Sequence, residues 1–271
     1  MSLPWLLNPR LIARGLVVGL GVGIALFVGH GQSESCALSA VHGGLTFPVQ
    51  RVDPGWACKL QDIIQDHTTE TKVGPVRAAL SESMYRHLLD HPPFAADLIG
   101  RLHLGLYRSE ERGLSRFWGD DGEGTKGIVE LVYEDPTSRI YFLEGTHESR
   151  ILPHVRGKAV VFLRVGIIRD ENGDDTTDST LVAYTRLDNR VLSGLVSLLH
   201  PLVTRLIKNR LQKGVETVDR VGRMMRQDPQ RVMAVLANPP SLPEHHVAFL
   251  KQALRDRSST DKGNTEGRSI P

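Results

Sequence analysis

Apolar positions in this chain change their spacing twice. Between Gly127 and Leu187 they recur every second residue in Gly127–Glu134, Ser138–Ser149, Lys158–Asp170 and Thr180–Leu187. These four runs are rich in Val, Ile, Tyr and Phe and read as strands. Asp135-Pro136, Leu152-Pro153 and the polar run from Asp170 to Asp178 supply the turns. No helix-length segment separates the runs, so the sheet is expected to be antiparallel. In Lys158–Asp170 the row Val161, Leu163, Val165, Ile167 is wholly apolar, while the alternate row is Val160, Phe162, Arg164, Gly166. The first row is expected to face inward and Arg164 outward.

From Val191 to Arg226 the step becomes three or four residues. Leu192, Leu195, Leu199, Leu202, Val203 and Leu206 continue to Val221 and predict one long helix. Asp188 or Asn189 can cap it, and Pro201 is expected to kink or divide it. Upstream, Val76–Leu80 reads as a short strand. A helix capped by Ser81 or Ser83 runs through His91, and Phe94–Leu102 forms a second helix after Pro92-Pro93. Leu104–Trp118 reads as strand, broken at Glu110–Gly113, and Gly119–Gly127 as a turn cluster. Downstream, Gln230–Ala237 and Glu244–Arg257 read as helices, and Ser258–Pro271 as a disordered tail.

The order is strand, two short helices, antiparallel strands, one long C-terminal helix. With the opening Val76-Arg-Ala-Ala-Leu-Ser-Glu-Ser-Met-Tyr-Arg-His-Leu-Leu and the turn Trp118-Gly-Asp-Asp-Gly, it resembles the START-like, or Bet v 1-like, superfamily (SRPBCC) over about residues 73–226. The match is one of element order and covers no catalytic motif. It implies an α+β helix-grip fold, a curved antiparallel sheet wrapped around the long helix, with a cavity for a lipid or other hydrophobic molecule between them. On that fold the strand and helix faces put Val129, Leu131, Tyr133, Val161, Leu163, Val165, Leu195, Leu199 and Val203 against the ligand. The same apolar pattern also suits a filled core, because both need one apolar face per element. A cyclase or aromatase on this fold is a second reading, with Glu144, His147 and His200 as candidate polar groups. A non-catalytic anchored interaction protein is a third.

The N-terminal stretch 1–31 carries Arg10 and Arg14 ahead of an uncharged run, and Leu11–Gly29 spans 19 residues with one Arg inside. A bilayer core takes about 20 apolar residues. A retained signal-anchor, a cleaved signal peptide and, less well, a buried helix all fit. The anchor reading puts Leu11, Gly15, Gly19, Gly23 and Phe27 in the membrane. The four-residue spacing of Gly15, Gly19 and Gly23 suits helix–helix approach and a homodimer. Charges ahead of the run place the remainder on the periplasmic or outer side. Residues 32–72 then read as a connecting segment in which Cys36 and Cys58 can pair, since exported compartments permit disulfides.

The remaining composition narrows the function classes. Of 271 residues 40% are hydrophobic, and 33 Lys+Arg stand against 31 Asp+Glu. That near-neutral balance argues against a nucleic-acid partner. The run Asp170–Asp178 lacks EF-hand spacing, Gly119–Gly127 lacks the P-loop order, and no metal or cofactor motif stands out. Glu144 and His147 are expected on opposite faces of their strand. Arg205, Lys208, Arg210, Lys213, Arg220, Arg223 and Arg226 make the long helix basic. They suit either anionic headgroups or the acidic stretch Trp118–Asp188.

Overall fold

The computed structural model describes residues 36–148, 154–169, 175–239 and 242–266, with side chains described for all of these except 189–200 and 256–266. Leu11, Gly15, Gly19, Gly23 and Phe27, expected in a membrane helix, lie outside the described residues. Among the described residues no helix is long and apolar enough to cross a membrane.

A short hairpin, β1 (Val41–His42) and β2 (Leu45–Thr46), opens the described chain and leads through a 3-10 turn into α1 (Pro54–Gln65). Asp53 caps α1 by accepting from the Gly55 amide, and Pro54 occupies its first turn, where a missing N–H costs nothing. β3 (Thr69–Ala78) follows, then α2 (Glu82–Asp90) and α3 (Pro92–Arg101). Ser81 caps α2 by accepting from the Met84 amide at 3.4 Å. β4 (Arg108–Gly113), β5 (Arg116–Asp120), β6 (Thr125–Glu134), β7 (Ser138–His147), β8 (Val155–Arg169) and β9 (Asp175–Leu187) complete the strands. α4 (Asn189–Gln227, 39 residues), α5 (Pro229–Leu236) and α6 (Glu244–Glu266) end the chain. Pro201 lies inside α4 without dividing it. α6 extends through Glu266, into the stretch read from sequence as a disordered tail.

β3 to β9 form one antiparallel sheet in the order β3-β9-β8-β7-β6-β5-β4. The first strand therefore pairs with the last, Thr69 opposite Thr185. The architecture is α+β, a seven-stranded sheet with a long C-terminal helix.

Both faces of the sheet are covered. On one face Leu163 and Val165 pack with Leu80, Met84, Leu88, Phe94 and Leu98 of the α2–α3 region and with Val221 and Met225 of α4. Val232, Leu236, Leu242 and Leu250, from α5 to α6, belong to the same cluster. On the other face Val160, Phe162, Val182 and Tyr184 pack under Phe47, Val49, Leu60 and Ile63. Residues 36–66, expected to be a connection, thus form a layer of their own, and β3 begins at Thr69 instead of Val76. Val160 and Phe162, read as the outward row, are fully buried. Arg164 shares that row. It donates to Thr137 Oγ1 and Ser138 Oγ and lies over the Phe47 ring. Cys36 and Cys58 form a disulfide that ties the start of this layer to α1.

The basic face of α4 meets the acidic turn between β5 and β6. Arg210 pairs with Asp121 and Glu123, and Lys213 with Glu123. At its C-terminal end Arg226 donates to the carbonyls of Ala79 and Asp175. For Arg210 and Lys213 the acidic partner is the protein's own sheet segment.

Candidate functional site

Beyond the Leu163–Val165 level the helix-side face of the sheet is not filled. A cleft of about 780 Å³ lies between strands β5 to β9, helices α2 and α3, and the α4 stretch that contains Val203, Leu206, Ile207 and Leu211. Volumes of this order suit a drug-sized ligand.

The strand register shows how the sequence makes this space. Three successive rungs run across the floor of the cleft. The first is Leu131, Tyr141, Val161 and Ala183 on β6 to β9. The second is Phe117, Val129, Leu143, Ala159 and Thr185 on β5 to β9. The third is Gly119, Gly127, Gly145 and Gly157, ending at Leu187. Four neighbouring strands thus place glycine on one rung. With no side chains there, the floor is bare backbone and the volume above it stays open. The strands also come close at this rung: a Cβ on Gly127 would lie 2.4 Å from Glu144 O, and one on Gly145 2.6 Å from Lys126 O. Only glycine fits at those two positions.

The roof is apolar, formed by Leu88, Pro92, Ala95, Ala96 and Ile99 with the α4 residues. Polar groups sit at the two ends. At one end Tyr141 is deeply buried, which pushes its phenol up to about 12 and keeps it neutral. Behind it the buried Arg139 pairs with Asp90 and, at 3.3 Å, with Glu134. At the other end His147 is buried, with Nδ1 2.9 Å from Thr125 Oγ1 and, among the described residues, no partner for Nε2. A strand rises about 3.4 Å per residue, so Tyr141 and His147 on β7 stand roughly 20 Å apart.

Of the residues expected against a ligand, Val129, Leu131, Val161 and Val203 line the cleft. Leu163 and Val165 face the same side but are consumed by the solid core under α2 and α3. Tyr133 faces the opposite side, against the 36–66 layer, because the register slips between Leu131 and Tyr133 and turns the strand over. The side chains of Leu195, Leu199 and His200 lie outside those described. Glu144 is on the far, exposed side of β7, pairing with Lys158, and His147 is on the cleft side. Sequence reasoning missed Leu206, Ile207 and Leu211, although they continue the helical period already recognised. It also missed the glycine rung, because strand-to-strand register is not readable from one chain.

A second polar group lies away from the cleft. His87 on α2, His91 between α2 and α3, and His246 on α6 gather at the helix seam, their potential ligand nitrogens all within 4.8 Å of one another. The signals in sequence were the spacing of four between His87 and His91 and the adjacent pair His245-His246, separated by about 150 residues and hence not associated.

No family model matches the chain, and no curated protein matches it. Among solved structures it is similar to a conserved protein from Geobacillus kaustophilus. The likeness has 13% identity and a TM-score of 0.38, over 56% of this chain and 94% of that one, and carries no argument about function.

Proposed function

We propose that the protein binds a hydrophobic or amphipathic small molecule, of lipid class, in the cleft between the sheet and α4. The observation that supports this reading is the glycine rung beneath an apolar roof, which leaves about 780 Å³ unfilled where a packed core would need side chains. The helix-grip resemblance agrees with it. The apolar middle would take the hydrocarbon part of the ligand. His147 Nε2, buried and unpartnered, would meet one hydroxyl or carbonyl oxygen. The disulfide suits an oxidising compartment. An anchor within residues 11–29 would hold the domain at the outer face of a membrane and allow a homodimer through Gly15, Gly19 and Gly23.

Extraction and mass spectrometry of the purified full-length chain test this. A stoichiometric lipid recovered from the native protein, and lost from Gly119→Leu, is the expected result. No lipid recovered, and none taken up from mixed phospholipid–sterol vesicles, would overturn it. A cyclase-type enzyme is favoured by one observation, the orphan His147 nitrogen, which could exchange a proton with a bound substrate. That reading requires turnover to vanish in His147→Ala while ligand uptake persists.

A further inference from the structure

α6 returns to α2 across a separation of 159 residues, and the contact is made by imidazoles. His87 Nε2 and His246 Nδ1 stand 3.0 Å apart. The His91 ring centroid is 4.6 Å from each of the other two. Two phenylalanines fix the rings: Phe249 stacks on His87 at 3.9 Å, and Phe94 on His246 at 4.4 Å. His246 is buried, whereas His87 and His91 are half-buried, so the seam is reachable from solvent.

We propose that His87, His91 and His246 form a binding site for a borderline divalent transition metal, of which zinc is the type, at the seam of α2 and α6. Three nitrogens around a tetrahedral ion with bonds of 2.0–2.1 Å lie about 3.3 Å apart. The present spread, one pair at 3.0 Å and all within 4.8 Å, brackets that spacing. The donor set is all imidazole, which suits zinc, copper, nickel or cobalt and not magnesium or calcium. Three protein ligands leave the fourth position to water.

Protonation also suits the site. Burial, with neighbouring His245, His91 and His87, holds His246 down to about 4. Burial and His91 also lower His87, against Asp90, which raises it. Both shifts favour the neutral ring, whose free nitrogen offers a lone pair. In the metal-free protein one of the two nitrogens at 3.0 Å must donate a proton to the other. Binding breaks that hydrogen bond, and the donor ring moves its proton to its other nitrogen through solvent. The metal then replaces one hydrogen bond with three ligand bonds and pins α6 to α2. No bond to carbon forms or breaks, and nothing is oxidised.

The test uses the full-length chain without an affinity tag, titrated with cobalt(II) alone and then with zinc(II). The expected result is one cobalt per chain with the visible absorption of a tetrahedral nitrogen site, displaced by one zinc. Loss of outer-shell support alone weakens metal sites about 10–100-fold. Removing a ligand in His91→Ala is therefore expected to weaken binding at least 100-fold, with the far-ultraviolet dichroism unchanged. Because His246 is buried, the milder His87→Gln provides a second variant. Absence of the tetrahedral band, or equal affinity in native protein and both variants, would overturn the site. Lipid uptake by the cleft is independent of either result.

Discussion

Gly127 and Gly145 face each other across β6 and β7, so close that a Cβ on Gly145 would stand 3.2 Å from the Gly127 Cα and 2.6 Å from Lys126 O. Their neighbour on the rung, Gly119, is unlike them: its nearest atom to a built Cβ is Arg108 O at 3.9 Å. The rung therefore separates two roles of glycine, close strand approach and open volume. Gly145→Ala is expected to destabilise by about 1–3 kcal/mol through overpacking. Gly119→Leu is expected to keep the native unfolding midpoint within a few degrees and to displace the bound molecule. Urea unfolding for Gly145→Ala, and thermal unfolding with ligand extraction for Gly119→Leu, read these outcomes separately.

The layer of residues 36–66 is as much core as the helix side. Leu60 on α1 is 0% exposed, and Leu163 beneath α2 is 4% exposed. Leu60→Ala and Leu163→Ala are each expected to cost about 2–5 kcal/mol, the range for deleting a buried leucine side chain. A connecting segment would tolerate the first change nearly without cost. Chemical denaturation of both variants decides.

Reduction of the Cys36–Cys58 bond opens a loop with a sequence separation of 22. In the chain-entropy account this costs about 3 kcal/mol. Thermal unfolding of the Cys36→Ser/Cys58→Ser protein is expected to fall by roughly 6–12 °C, given about 2–4 °C per kcal/mol for a domain of this size. A shift under 2 °C would show that the Phe47–Leu60 packing holds the layer alone.

His42 sits in that layer, buried between Phe47, Phe162 and Tyr184, with Nδ1 3.2 Å from the Tyr184 hydroxyl. Burial lowers its pKa below the usual 6.5, against a backbone contact with Ser39 and the charge of Glu70, which raise it. The folded state thus takes up this proton less readily than the unfolded chain. Stability from this group is complete above about pH 6.5 and declines as pH falls toward its lowered folded value. In His42→Phe, which keeps the stack on Phe162, the pH dependence of stability between 7 and 5 is expected to be shallower. Paired stability measurements across that range check it.

Element order was legible in the sequence where one period ran uninterrupted, as in β7 and α4. A cap at Ser81 or Ser83 was readable because capping is local chemistry, and the structure uses Ser81. Tyr133 was misplaced because strict alternation carries no sign of the slip after Leu131. Leu60 and Ile63 were visible as apolar, but a run so short does not say which face it will cover. The cleft was harder still: Gly119, Gly127, Gly145 and Gly157 acquire meaning only after four strands are aligned. His87 and His246 meet through tertiary packing, which no local pattern records.

Pairing of the first sheet strand with the last has a consequence for how the chain reaches this state. Thr69 must wait for Thr185, more than a hundred residues later, before its strand has a neighbour. Until β7, β8 and β9 exist, Phe47, Leu60 and Ile63 lack Ile140, Phe142, Val160, Phe162 and Val182, the side chains they cover. The 36–66 segment is thus made before the strands it covers and is buried only when they are in place. Long-range pairings of this kind slow folding. During synthesis its greasy side is available to any chaperone it meets, and the closing of β3 on β9 ends that exposure.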